Sequence, residues 1–257
     1  MGFWDEFSDK NEYRSIFKPR LTIGIPTINR ADLLVESLAD IDNHWHDALT
    51  SLIIIDNGNQ NINSLIPERL KVKTTVFEEP GNLGVAGSWN KILHTAFTRY
   101  PNSDHVLLLN DDIVLGKPAQ LIFDLINNNP NYSILGGNYY WASILISKYC
   151  IDTIGYFDKK LFPAYFEDND YARREGLSIG TRQHVDELTP TVQRASQTVM
   201  KDRSLNYNFA GNARLYQNKW GGAPGHETYQ FPYGAKDPSC INPHHHKLLY
   251  MPYEQED

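Results

Sequence analysis

Four short strand-like stretches, three of them largely apolar and each broken off by a polar or glycine-bearing cluster, constrain what this chain can fold into. They are Leu21 to Ile25 before Pro26 to Arg30, Ser51 to Ile55 before Asp56 to Asn59, Lys73 to Phe77 before a loop holding Gly81 to Gly84, and His105 to Leu109 before Asn110, Asp111 and Asp112. Runs of this length without polar alternation suit strands covered on both faces, as in a parallel sheet. Between them lie helical patterns: Leu34, Leu38 and Ile41 recur after Ala31, and Val85, Trp89, Ile92, Leu93 and Ala96 form a second stripe. Further on, the pattern predicts a helix around Ala119 to Ile126, strands near Tyr132 to Leu135 and Trp141 to Ser147, and a short helix from Lys148 to Ile154. A helix following Glu167 through Arg174, and another over Asn212 to Trp220 capped by Gly221-Gly222, complete the order. Strands alternating with helices over short connections predict an α/β fold: a Rossmann-like, mostly parallel sheet with helices on both faces. A chain of 257 residues is near the size at which one core stops growing, so a single main domain with a C-terminal extension is expected.

In such sheets ligands bind outside the carboxyl ends of the strands. The clusters Pro26 to Arg30, Asp56 to Asn59, Gly81 to Gly84 and Asn110 to Asp112 therefore share one edge and line one cleft. Asp111 and Asp112 sit side by side at the end of a buried run. Two such carboxylates repel each other and are costly to desolvate, so they call for a cation, a hydrogen-bond donor or water. A solvated turn or a helix N-cap is the alternative for this pair. Amides, carboxylates and backbone-accessible glycines suit a polar, anionic, hydroxylated ligand, and a nucleotide sugar answers that description. No Gly-x-Gly-x-x-Gly follows the first strand and no Gly-x-x-x-x-Gly-Lys-Ser/Thr occurs, which argues against a dinucleotide dehydrogenase and a P-loop protein.

Charge and cysteine content narrow the partners. A net charge of -7 argues against a broad nucleic-acid or anionic-membrane footprint. Cys150 and Cys240 form neither a metal-type pair nor a disulfide framework, as suits a reducing compartment. With no signal-like N-terminus and no run of membrane-spanning length, a cytoplasmic location without a transmembrane segment is expected.

Six segments resemble, in order and spacing, the inverting glycosyltransferases of family 2, which have the GT-A fold. They are Thr22 to Arg30 (Thr-Ile-Gly-Ile-Pro-Thr-Ile-Asn-Arg), Ile54 to Gly58, Asn82 to Asn90 (Asn-Leu-Gly-Val-Ala-Gly-Ser-Trp-Asn), Leu108 to Asp112, Gly155 to Asp158 and Phe166 to Asp170 (Phe-Glu-Asp-Asn-Asp). The likeness runs from about Leu21 to about Gly176. It implies a transferase, hexosyl or deoxyhexosyl, that moves sugar from a UDP-, GDP- or dTDP-sugar to a hydroxyl of a glycan or other acceptor, assisted by Mn2+ or Mg2+. It further implies that Pro26, Thr27, Asp56 and Asn57 hold the nucleobase and ribose, with Asn29 and Arg30 in the same donor-binding set. Asn82, Gly84 and Asn90 would shape the nucleotide pocket, although both asparagines could equally cap the loop and the helix start. Asp111 would face the ribose or sugar, and Asp112 the metal bridging the diphosphate. Asn110 departs from the family, where an acid is usual. Asp168 matches the family's catalytic base, with Glu167 and Asp170 supporting it or pairing with Arg173 and Arg174. Acids in a first helical turn are also favoured simply by the macrodipole. His226 is the candidate for the histidine that relatives add to the metal.

The resemblance divides the chain into an N-terminal segment 1–20, a nucleotide-sugar half 21–115, an acceptor and catalytic half 116–222, and an extension 223–257. Residues Ser178 to Lys201 are expected to form a mobile cover over the acceptor, and Trp220 is either core or a wall of the sugar site. His244 to His246 point to alternate faces if extended, and are expected at the surface. A sugar-nucleotide nucleotidyltransferase would want a basic, Gly-rich loop where Pro26 to Asn29 stand. A non-catalytic glycan-binding module on the same scaffold is the other alternative, and the intact Asp112 and Asp168 argue against it.

Overall fold

A computed structural model of the chain describes residues 19–99, 103–128, 134–138, 140–180, 183–194, 198 and 201–235. His244 to His246 and Cys240 lie outside the described residues. Strands β1 (Leu21–Thr27), β2 (Ser51–Asp56), β3 (Thr74–Glu78) and β4 (His105–Leu109) pair in parallel, with Thr27 beside Asp56 and Asp56 beside Glu78. Beyond β4 come β6 (Ile134–Gly136), β7 (Ser143–Ser147) and β8 (Gln183–His184), giving the sheet order β3-β2-β1-β4-β7-β6-β8. Strand β7 runs antiparallel to both of its neighbours. Its link to β6, residues 137–142, is too short for the crossover that a parallel pair requires. A small antiparallel pair, β5 (Ile113–Val114) with β9 (Val192–Gln193), ties the segment before Arg194 to the strand following Asp112.

Helices cover both faces because the pleat of each strand divides its apolar side chains between them. Leu52 and Ile54 of β2, with Leu107 and Leu109 of β4, face α1 (Ala31–His44) and α4 (Ala119–Asn128), where Leu34, Leu38, Ile41, Ile122 and Phe123 meet them. Ile53, Ile55, Val106 and Leu108 face the other way, toward Trp89, Ile92 and Ala96 of α3 (Gly84–Thr98) and Ile151 of α5 (Lys148–Ile154). A side chain at Gly24 would collide with Ile92, so the missing Cβ lets α3 lie directly on β1. A short α2 (Glu68–Lys71) precedes β3, and α6 (Glu167–Ser178) and α7 (Phe209–Trp220) lie in the second half of the chain.

Several boundaries move from the sequence expectation. Trp141 and Ala142 form a 3-10 turn, so the expected strand there begins at Ser143, and α7 starts at Phe209 rather than Asn212. Within the segment expected as a mobile cover, the described residues 183–194 are held by β8, by β9 and by Leu188, which is fully buried against the core. Gly221 ends α7 in the left-handed conformation, as its place after the last helical residue predicts.

Candidate active site

A cavity of about 380 Å3 opens at the carboxyl ends of the strands. Pro26, Thr27 and Ile28 follow β1, Asn57 follows β2, and Asn110, Asp111 and Asp112 follow β4, all of them in its lining. The opposite side is built from Asn82, Gly84, Val85, Ser88 and Trp89 around the start of α3, and from Pro163, Ala164, Tyr165, Glu167 and Asp168 leading into α6.

Hydrogen bonds from the polar clusters give these loops their shape. Asp56 is fully buried and accepts from the Gly58 N–H at 3.0 Å, the Gln60 N–H at 2.6 Å and the Gln60 carboxamide at 3.0 Å. Its carboxylate folds the loop after β2 and does not line the cavity. Asn57 beside it accepts from the Leu83 N–H and donates to Ser88 Oγ, each at 2.9 Å, which ties this loop to α3. Asn82 accepts from the Gly84 N–H at 2.8 Å. Gly84 has φ +70°, and an added Cβ would stand 2.7 Å from the Pro163 carbonyl oxygen, so the start of α3 and the 162–165 segment meet at a contact that glycine permits. The Val85 N–H donates to that same carbonyl at 2.8 Å.

The route into α6 is set by two left-handed residues, Tyr165 (φ 76°) and Phe166 (φ 73°). Asn212 of α7, fully buried, donates to the Ala164 carbonyl at 2.9 Å and to that of Tyr165 at 3.3 Å, and Asn208 donates to the Phe162 carbonyl at 3.0 Å. Below the first turn, Lys219 bridges Asp158 at 2.7 Å and Asp170 at 2.6 Å, while Arg174 donates to Asp170 at 3.0 Å and the Trp220 indole N–H does so at 2.9 Å. Burial alone would raise the Asp170 carboxyl, but Lys219 and Arg174 hold it below the usual range. Trp220 is fully buried here and belongs to the core. Of the two arginine partners expected for Asp170, Arg174 is the one bonded to it, whereas Arg173 donates to the Tyr229 carbonyl.

Four carboxyl groups line the cavity: Asp111, Asp112, Glu167 and Asp168. Burial pushes the Asp111 carboxyl up to about 7, opposed by a hydrogen bond from Thr27 and by the Arg30 guanidinium, and reinforced by Asp112. One Asp111 oxygen, Oδ2, is buried without a hydrogen-bond partner. Arg30 is bound to Asp32 through two nitrogens, at 2.9 and 3.1 Å, and lies outside the lining while its charge acts on both Asp111 and Asp112. The Glu167 carboxyl is raised well above its ordinary value by burial first and the neighbouring Asp168 second, and its Oε2 also has no partner.

Of the residues singled out from sequence, the structure brings Pro26, Thr27, Asn57, Asn82, Gly84, Asp111, Asp112 and Asp168 into one cavity. It does not bring Asn29, Arg30, Asp56, Asn90 or His226 to that lining. Asn90 is buried in a hydrogen-bonded clasp on the Phe157 backbone, and Asn29 and His226 are exposed. Ser88 and Trp141 are lining residues that sequence reasoning passed over. Ser88 lies one helical turn beyond Gly84, so its hydroxyl reaches the Gly84 carbonyl at 2.7 Å; that spacing was a usable signal.

No protein-family model and no curated protein matches this sequence. Among solved structures, the chain is similar to the mannosyltransferase PcManGT from Pyrobaculum calidifontis in complex with GDP-Man and Mn2+, at TM-score 0.55 and 16% identity over 92% of this chain and 70% of that one. It is similar also to S. aureus TarS, at TM-score 0.56 and 14% identity over 79% of this chain and 40% of that one. TarS 1-349 in complex with UDP matches at TM-score 0.52 and 12% identity, over 66% of this chain and 59% of that one. The α/β architecture is thus GT-A-like, a fold shared with glycosyltransferases. Among the described residues, no helix is long and apolar enough to cross a membrane.

Proposed function

We propose that this chain is an inverting, family 2-like glycosyltransferase that passes a hexosyl or deoxyhexosyl group from a nucleoside-diphosphate sugar to a hydroxyl of a glycan or other acceptor. The observation that carries this reading is the convergence, in one cavity, of the strand-end loops after β1, β2 and β4 with the acidic start of α6. Residues 21–115 would supply the donor half and residues 116–222 the acceptor half, on one continuous sheet in which β4 pairs with β7. Pro26, Thr27 and Asn57 would hold the nucleoside, with Asn82 and Gly84 shaping its pocket and Asp111 facing the ribose or sugar.

Charge supports metal assistance. Among the described residues the lining holds no Lys or Arg, so a diphosphate bound there would lack a cationic partner from the chain. Mn2+ or Mg2+ fits the donor set, in which the Asp112 carboxyl at the cavity supplies hard oxygen atoms with no Lys or Arg beside it in the lining. The described residues contain no group of three His, Cys, Asp or Glu able to hold an ion. Asp112 would therefore be its protein ligand, with diphosphate oxygens and water completing the shell, as is usual for such cations. When bound, the ion would stabilise charge on the departing nucleoside diphosphate.

The remaining chemistry belongs to the chain. Asp168 would take the proton from the acceptor hydroxyl as that oxygen attacks the anomeric carbon from the face opposite the diphosphate. A thermal-shift panel of UDP, GDP and dTDP with their sugars, with and without Mn2+, tests the reading, since a ligand that binds the native state raises the melting temperature. The expected result is a shift for one nucleotide that needs the metal. A panel without any shift, paired with no donor hydrolysis, would overturn it.

A further inference from the structure

The first turn of α6 places two acids at the cavity, and they differ. Asp168 is half-buried, and its Oδ1 accepts the Asn169 N–H at 2.7 Å. Glu167 is 5% exposed, lines the cavity, and has a carboxyl oxygen, Oε2, with no hydrogen-bond partner. A buried polar atom without a partner is costly, so its retention beside a cavity points to a partner that arrives with the ligand.

Resting on the glycosyltransferase reading and deepening it, we propose that Glu167 is kept as the neutral acid and donates its carboxyl hydrogen to a sugar hydroxyl oxygen in the cavity, next to Asp168. Burial is the larger cause that disfavours its ionised form, and the charge of Asp168 is the second. Its own backbone N–H opposes them weakly, and Tyr165 beside it in the lining is itself raised by burial and by Glu167. No Lys or Arg among the described lining residues offsets them.

The neutral form selects the chemistry of its partner. A protonated carboxyl both donates and accepts, and so does a hydroxyl, whereas phosphate oxygens only accept and a metal ion needs the ionised form. A hydroxyl can both accept from the neutral carboxyl and donate to it, which matches Glu167 to a sugar hydroxyl more fully than to a diphosphate oxygen that only accepts. The two neighbouring acids divide the work, Asp168 accepting the acceptor's proton and Glu167 fixing a hydroxyl by donation. Such division between adjacent carboxyl groups arises wherever environment pushes their proton affinities apart.

The test combines two measurements on the full chain. Carbon-13 detection of labelled glutamate, with Glu167→Gln to assign the signal, is expected to show the Glu167 carboxyl still protonated at neutral pH. Titration in the ordinary range, below about pH 5, would overturn the proposal. In transfer assays with UDP-, GDP- and dTDP-sugars, Glu167→Gln retains a donor group while Glu167→Ala does not. Glu167→Gln should exceed Glu167→Ala by about tenfold in kcat/KM, the size of one lost hydrogen bond, and should lose the fall in activity that the parent shows as pH rises. Equal loss in both variants, or Glu167→Gln inactive while Asp168→Asn still turns over, makes Glu167 a base and sinks the proposal. If the parent transfers no sugar at all, the glycosyltransferase reading falls and the hydroxyl partner with it, while the carboxyl titration shows separately whether Glu167 is neutral.

Discussion

The Asn90 side chain clasps the backbone of Phe157, donating to its carbonyl oxygen and accepting from its N–H, each at 2.8 Å. Asn90 is fully buried on α3, and Phe157 lies in the turn that leads from α5 toward α6. Phe157 in turn packs against Trp89 and Tyr171, with ring centroids 4.9 and 4.2 Å apart. This clasp joins α3 to the turn that precedes α6. Replacing Asn90 with Ala would strand both a buried N–H and a buried carbonyl, so Asn90→Ala is expected to lose about 2–4 kcal/mol of stability. Urea denaturation measures it; a loss below about 1 kcal/mol would mean that the clasp contributes little.

A second junction lies deeper. Lys219 is 3% exposed and bridges Asp158 and Asp170, so its removal leaves the buried Asp158 carboxylate without its cation and Asp170 with Arg174 alone. Breaking a buried ion network by deleting one member costs about 3–5 kcal/mol. Lys219→Met should therefore lower the melting temperature strongly, while the double replacement Lys219→Met with Asp158→Asn recovers part of the loss. A single variant as stable as the parent would show that the network does not hold α7 against α6.

How far the sequence disclosed these features depends on the range of the interaction. Periodicity and the polar breaks after apolar runs locate β1, β2 and β4 and the cavity they border, because both signals act within a few residues. The identity of an asparagine's partner is not local. Asn82 and Asn90 occupy one motif, yet Asn82 shapes the cavity loop while Asn90 reaches a backbone 67 residues away. Asp56 looked like a ligand contact because it follows a buried strand, but Gly58 and Gln60, close behind it, saturate its oxygens. The turn formers themselves were legible; that they would fold back onto this carboxylate was not. Trp220 joined the core through Asp170, whose sequence distance of 50 residues hides the contact. The reversed direction of β7 follows from the short link after β6, which becomes visible only once the boundary of β7 is placed at Ser143.

Asp111 gives the protein without ligand a predictable response to pH. Its folded carboxyl is raised to about 7 by burial, above the ordinary value of about 3.9 for an unfolded chain. Within that window the unfolded state releases its proton first, so the native state loses stability as pH rises. Asp111→Asn is expected to be more stable than the parent at mildly alkaline pH, the difference shrinking toward pH 4. Melting curves across that range check it, and a constant difference would show that Asp111 ionises normally in the folded protein.

Asp112→Ala should fold like the parent and lose metal-dependent nucleotide binding. Asp112 lies beyond β4 at the cavity, and its backbone carbonyl accepts the Arg194 N–H at 3.2 Å, a contact that the substitution leaves in place. Calorimetric titration with nucleoside diphosphate and Mn2+ gives the readout. Unchanged affinity in Asp112→Ala would remove Asp112 from the metal.

Asp168 carries the sharpest kinetic expectation. An alcohol is a weak nucleophile until its proton is being removed, and a positioned carboxylate removes it in the transition state, a contribution of about 10²–10⁴ in rate. The position of Asp168 is secured from behind: Tyr165 and Phe166 hold left-handed conformations before α6, with Asn212 bonded to the carbonyls of Ala164 and Tyr165 and Asp170 anchored by Lys219 and Trp220. Asp168→Asn keeps the size of the side chain and removes the base, so donor affinity should stay close to that of the parent while kcat falls by about a hundredfold or more. One displacement without a covalent enzyme intermediate also fixes the product, whose anomeric configuration must be inverted relative to the donor. Proton NMR of the first product formed reads that configuration directly. A retained anomer, or an Asp168→Asn enzyme turning over at the parent rate, would take the base assignment away from Asp168.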